Sequence, residues 1–104
     1  MIENTLTQLG LDRTLLGYSY LQTAIKLLNN RPSSTMQLYT EIATKNNTTV
    51  KCVEHACRYT IHECWLHRDI DIARNIFGNN EDVPTVGKFI KKVSRYLKED
   101  DHGT

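Results

Sequence analysis

Hydrophobic residues recur along this chain at alternating spacings of three and four, which places their side chains on one face of an α-helix. Glycine and proline, which form the turns between short strands, number only 5 and 2 in 104 residues. The pattern therefore predicts an all-α fold of about six helices and no strand. The predicted helices cover about 2–9, 14–30, 36–45, 49–67, 69–78 and 85–97.

The length and composition fit one globular domain. Hydrophobic residues make up 39% of the chain and charged residues 24%, a balance that excludes disorder. We therefore expect residues 1–104 to form a single helical domain. The formal net charge is only +1, which excludes a strongly cationic tail but leaves room for a basic face hidden in the average.

The sequence shows no pattern for export or membrane insertion. The N-terminus lacks the basic segment and apolar run of a signal peptide, and the longest uncharged stretch, 14–25, is too short and polar to span a bilayer. The odd count of 3 cysteines favours reduced thiols. We expect a soluble cytoplasmic protein.

The third and fourth helices form the most informative pair. Asn46 and Asn47 predict a tight connector, because Asn tolerates the left-handed conformation of a sharp turn, and Thr48 or Thr49 can cap the fourth helix. A short helix, a tight connector and a longer helix form a helix-turn-helix, whose second helix can enter the DNA major groove. The predicted inward residues of the third helix are Met36, Tyr39, Ile42 and Ala43.

The fourth helix has two chemically different faces. Its predicted inward residues are Val50, Val53, Cys57, Ile61 and Cys64. The opposite face carries Lys51, His55, Arg58, Tyr59 and His62, with Cys52 and Glu54 at its margins. Arginine can bind guanine through two hydrogen bonds, and glutamate can accept one from cytosine. The candidates for base contacts are therefore Lys51, Glu54, His55 and Arg58, and those for phosphate contacts are Thr48, Thr49, Tyr59 and His62; Cys52 completes the predicted DNA-binding set.

Residues 39–65 read YTEIATKNNTTVKCVEHACRYTIHECW. Together with flanking pieces at 17–21, 24–25, 70–71, 76–78, 84–85 and 89–90, this stretch resembles the effector domain of the sporulation master response regulator, the stage 0 sporulation protein A family. The resemblance implies six helices around a helix-turn-helix, without a β-wing. It further implies sequence-specific DNA binding as tandem homodimers near promoters and contact with RNA polymerase. We expect no cofactor.

Some residues of the fourth helix match the family and others depart from it. Glu54 and Arg58 match, as do the capping threonines. Lys51 and Cys52 stand where the family has a Ser-Arg pair, and His55 replaces a second arginine, while Tyr59 replaces a histidine. Because two arginines that would contact bases are missing, we expect an altered target box. We expect no receiver domain within the 104 residues, whether the chain is an excised effector domain or a stand-alone relative.

Other functions remain open at this point. A metal site is disfavoured because Cys57 and Cys64 face inward while His55 and His62 face outward, and no catalytic, cofactor or metal site is predicted. Cys52, at a helix N-terminus, is a candidate redox switch. The main alternative to DNA binding is a degenerate relative that acts as a protein-interaction or dimerisation module. The last helix carries five cations, Lys88, Lys91, Lys92, Arg95 and Lys98. They form either a surface that contacts phosphates or an ordinary solvated face, and the sequence favours the solvated face.

Overall fold

A computed structural model describes residues 2–79 and 81–102 of the chain. Those residues form six helices and no strand, so the all-α prediction is confirmed. The helices are α1 (Ile2–Gln8), α2 (Leu16–Asn30), α3 (Thr35–Lys45), α4 (Val50–His67), α5 (Ile70–Phe77) and α6 (Val86–His102). Among these described helices, none combines a bilayer-spanning length with an apolar sequence.

The helix α2 lies at the centre of the fold and contacts α1, α3, α4 and α6. Its Leu21 and Ile25 are fully buried, in the same core as Ile61 of α4 and Phe89 of α6. Full burial of a large apolar side chain stabilises the fold by about 1.5–3 kcal/mol relative to leaving it exposed. The apolar residues that recur every three or four positions along α6 are all buried: Val86, Phe89, Ile90, Val93 and Leu97.

Small residues let α2 approach α4 closely. A Cβ atom placed on Gly17 would lie 2.1 Å from Thr60 Oγ1 and 2.2 Å from the carbonyl oxygen of Ala56. Both distances are far below van der Waals contact, so only glycine fits at this crossing. The backbone of α2 therefore rests directly on α4 and holds it in place.

Side-chain caps determine where several helices begin. Ser34 Oγ accepts a hydrogen bond from the Gln37 N–H (3.1 Å), and Gln37 Oε1 accepts one from the Ser34 N–H (2.8 Å), which together form a capping box. Asp69 Oδ1 accepts from the Ile72 N–H (3.1 Å) at the start of α5. Thr85 Oγ1 accepts from the third residue of α6 (3.2 Å). These caps agree with the helix starts predicted from sequence.

The predicted inward stripe of α3 is wrong at Met36, whose side chain is 60% exposed. Leu38 is buried in its place, together with Tyr39, Ile42 and Ala43. The buried residues centre the inward face about a quarter-turn away from Met36, which lies in the first turn of α3. Met36 therefore borders solvent at the rim of the domain.

Candidate nucleic-acid interface

The turn between α3 and α4 is a Schellman motif, which satisfies the last carbonyl groups of α3. The Asn47 N–H donates to the Thr44 carbonyl (3.3 Å), and the Thr48 N–H donates to the Ala43 carbonyl (2.9 Å). Asn47 has φ 53°, and it is the sole non-glycine residue with positive φ in the described part of the chain. The left-handed asparagine predicted from sequence is confirmed, and α3, this turn and α4 have the connectivity of a helix-turn-helix.

The N-terminus of α4 lies directly after this turn. Thr49 is the N-cap, and its Oγ1 accepts a hydrogen bond from the Cys52 N–H (3.1 Å). Thr48 is half-buried beside it. The first N–H groups of a helix lack intrahelical acceptors and carry partial positive charge. This end of α4 is thus electrostatically suited to a phosphate.

The inward face of α4 is apolar, as predicted. Val53, Cys57, Ile61 and Cys64 are buried, and Val50 is half-buried. Burial raises the pKa of the Cys57 and Cys64 thiols to about 12, so both are protonated and serve as small core residues. Sequence reasoning missed Thr60 and Trp65 on this face. Thr60 is tolerated there because its hydroxyl donates to the Ala56 carbonyl (2.9 Å).

The opposite face of α4 brings together the side chains that the sequence predicted there. Six of them are exposed and Glu54 is half-buried. The exposed six are Lys51, Cys52, His55, Arg58, Tyr59 and His62. With Thr48 and Thr49 at its N-terminal end, this surface, which we call the outer face of α4, presents donors, acceptors and an aromatic ring to solvent.

Arg58 is held by two neighbours on the same helix. Its Nη1 lies 3.6 Å from Glu54 Oε2, and its Nη2 lies 3.3 Å from His55 Nδ1. Because guanidinium nitrogens only donate, Nδ1 of His55 is the acceptor in the second contact. The sequence predicted these three residues separately; the structure links them into one cluster that orients the guanidinium group.

The Cys52 thiol has a different character from the two buried thiols. Hydrogen bonds with the hydroxyl groups of Thr49 and Thr48, followed by the nearby Lys51 charge, lower the pKa of this thiol. Cys52 is exposed, and all three cysteines of the chain are free. Cys52 is therefore the more reactive thiol and a stronger hydrogen-bond acceptor than the others.

Sequence reasoning missed a groove along one edge of the outer face. Glu54, Arg58 and His62 line it on one side, and Tyr39 together with residues 83–87 lines the other. Burial, with smaller effects from Cys57 and Glu54, raises the pKa of Tyr39 to about 12. The Trp65 indole N–H donates to the Glu81 carbonyl (2.9 Å) and ties the loop before α6 to α4. The Pro84-Thr85 pair indicated a helix start but not which helix it would contact.

The described residues contain no group of three or more His, Cys, Asp or Glu side chains that could hold a metal ion. Cys57 and Cys64 lie in the core, whereas Cys52, His55 and His62 are exposed on the other side of α4. The helix itself thus separates the two buried thiols from the exposed thiol and imidazoles.

A family model described as "Sporulation initiation factor Spo0A C terminal" matches residues 2–97. The match begins with α1, includes α3, the turn and α4, and ends within α6. It confirms the resemblance drawn from residues 39–65 and the pieces that flank them.

Proposed function

This chain belongs to the family of C-terminal domains of the sporulation initiation factor Spo0A, and on that premise we propose that it binds specific DNA sequences and regulates transcription by placing α4 in the major groove. The family is a DNA-binding effector domain of a sporulation regulator. The observation that carries the proposal is the family match over 2–97, which includes the whole helix-turn-helix. The polar outer face of α4 supports it.

Arg58 is the central base contact in this proposal. Its planar guanidinium group can donate two parallel hydrogen bonds to guanine, worth about 1–3 kcal/mol of discrimination against other bases. Glu54 and His55 orient this group before DNA arrives. An exposed ion pair four residues apart adds only about 0.3–0.5 kcal/mol of stability, so its value lies in the orientation of Arg58.

The remaining residues of the outer face take roles that follow from their position. Lys51 lies in the first turn of α4 and reaches base edges as a point donor, without the planar geometry of an arginine. Cys52 beside it offers an acceptor. Thr48 and Thr49 contact a phosphate at the helix N-terminus. Tyr59 and His62, farther along the helix, contact the backbone of the flanking sequence.

The partners follow from the family and from charge. With a formal net charge of +1, one domain gains little long-range attraction to DNA, so tight binding needs two copies on adjacent sites. We therefore propose that the protein binds directly repeated boxes as a homodimer and that the bound dimer contacts RNA polymerase.

Selection of randomised duplex DNA on the purified protein, followed by a salt titration of the selected duplex, tests the proposal. We expect a directly repeated motif and a steep negative slope of log affinity against log salt. Arg58→Ala should weaken binding to the selected duplex about 5- to 150-fold, which corresponds to about 1–3 kcal/mol.

Lys26→Ala is the charge-matched control. Lys26 is exposed on α2 and belongs neither to the helix-turn-helix nor to the outer face of α4. Its loss should change affinity much less than the loss of Arg58. No enriched motif and no binding at low salt would refute the proposal and favour a protein-interaction module.

A further inference from the structure

The last helix, α6, carries a row of five cations, and the one acidic residue among its described side chains is Glu99. Lys88, Lys91, Lys92, Arg95 and Lys98 lie on its solvent side, four of them exposed and Lys92 half-buried. We call this row the α6 stripe. Among the side chains that the structure describes, none of the five takes part in an ion pair. The small net charge of the whole chain therefore conceals one strongly basic surface.

The arrangement of the α6 stripe is unfavourable for a free helix. Lys88 lies three and four residues before Lys91 and Lys92. Arg95 lies four and three residues after them, with Lys98 three residues further on. Like charges at these spacings on a helix repel each other. Lys88 lies in the first turn, where the helix dipole favours negative charge, and that turn has no acidic residue. A merely solvated face would gain stability from alternating charges. An anionic partner would relieve both penalties.

The stripe begins where the outer face of α4 ends. Thr85 lines the groove beside Arg58 and His62, and it also lines a shallow groove of about 450 Å³ with Lys88, Lys91, Lys92 and Arg95. A basic surface thus continues from the edge of α4 along α6. A duplex seated on α4 would pass this groove on its flank.

We propose that the α6 stripe binds the phosphate backbone of duplex DNA flanking the box that α4 contacts, an inference that rests on the proposed function. The exposed large hydrophobic side chains of the described residues lie on α2, α3, α4 and α5 and none lies on α6. Protein partners need such apolar anchors, whereas a phosphate backbone needs only regularly spaced cations. The α6 stripe has cations and no exposed apolar anchor, so its chemistry suits a phosphate backbone.

The test compares two double variants that both take the formal net charge from +1 to −1. Lys91→Gln/Arg95→Gln removes two members of the stripe. Lys26→Gln/Arg74→Gln removes two exposed cations from α2 and α5. Circular dichroism first establishes that both are folded, and a salt titration then measures binding to the selected duplex and to a scrambled one.

We expect the stripe variant to lower the magnitude of the log–log salt slope by about two for each bound protomer and to weaken binding to both duplexes by the same factor. The control should leave the slope unchanged. Shortening the duplex to the box alone should weaken the wild-type protein but not the stripe variant.

Wild-type binding with equal slopes for all three proteins would overturn the role of the stripe and leave the proposed function standing. A wild-type protein that binds no duplex at low salt would overturn both. If the stripe variant loses binding to poly-glutamate while its DNA salt slope stays at the wild-type value, the stripe belongs to an acidic protein partner and the proposal is wrong.

Discussion

The close crossing of α2 and α4 makes Gly17→Ala a severe test of the packing. The added methyl group would need about 3.4 Å from the Ala56 carbonyl oxygen and would have 2.2 Å. A backbone carbonyl cannot rotate away as a side chain can, so α2 must move by roughly 1 Å from a close-packed core. That movement separates Leu21 and Ile25 from their neighbours across the core.

Overpacking of this kind costs about 1–3 kcal/mol, and we expect the upper end because the obstacle is backbone. Alanine regains about 0.5–1 kcal/mol relative to glycine inside a helix. The net loss is then about 2 kcal/mol, which lowers the melting temperature by roughly 8–16 °C in a domain of this size. Thermal and urea unfolding followed by circular dichroism at 222 nm measure both quantities.

Two control variants separate the causes of this loss. Ser19→Ala changes an exposed residue of the same helix and should be nearly neutral. Gly78→Ala places a methyl group in open space but at φ 80° and ψ −163°, a conformation that is essentially restricted to glycine, so it should lose about 1–3 kcal/mol through backbone strain alone. Thr60→Ala should not rescue Gly17→Ala, because the Ala56 carbonyl remains. A Gly17→Ala protein within 0.5 kcal/mol of wild type, on the order of an ordinary surface change, would refute this account of the crossing.

Three further predictions concern the thiols and the turn. The pKa of Cys57 and of Cys64 is about 12 in the folded protein and about 8.5 in an unfolded chain, so above pH 8.5 the unfolded state binds fewer protons than the folded state. The free energy of unfolding should therefore fall between about pH 9 and pH 12, by up to about 1.4 kcal/mol per pH unit for each thiol. Equal urea midpoints at pH 8 and pH 10 would contradict the burial. A thiol reagent at pH 7.5 should modify Cys52 rapidly and the other two thiols only after unfolding, and rapid modification of all three would be the contrary result. Asn47→Ala should destabilise the domain by about 1 kcal/mol while Asn47→Gly is near neutral, since only the first strains the left-handed turn; equal urea midpoints for the two would refute that.

Local signals predicted the elements of this fold well. The capping residues Ser34, Thr49 and Asp69 determine where helices begin, because each side chain accepts a hydrogen bond from the first turn that follows it. Asn47 determines the turn in the same local way. Such interactions span only a few residues, so the sequence alone carries them.

Contacts between distant segments were not predictable in this way. The predicted inward face of α3 is wrong at Met36, because the neighbouring helices in space determine which side of a helix is buried. The groove beside Arg58 forms only because the loop before α6 returns to α4, where Trp65 holds it through Glu81. The cluster of Arg58 with Glu54 and His55 depends on side-chain conformations that a helical wheel does not specify.

The rotation of α4 links the core to the proposed DNA contacts. Gly17 packs closely against Ala56 and Thr60 of α4, and Val53 and Ile61 on the inward face of α4 are buried in the core. Together these contacts determine which residues α4 presents to solvent, and none of them involves the outer face. We therefore expect substitutions on that face to leave the rotation of α4 unchanged. Under the proposed function, we therefore expect an altered set of base contacts on the outer face to change the DNA sequence bound while α4 keeps this rotation in the core.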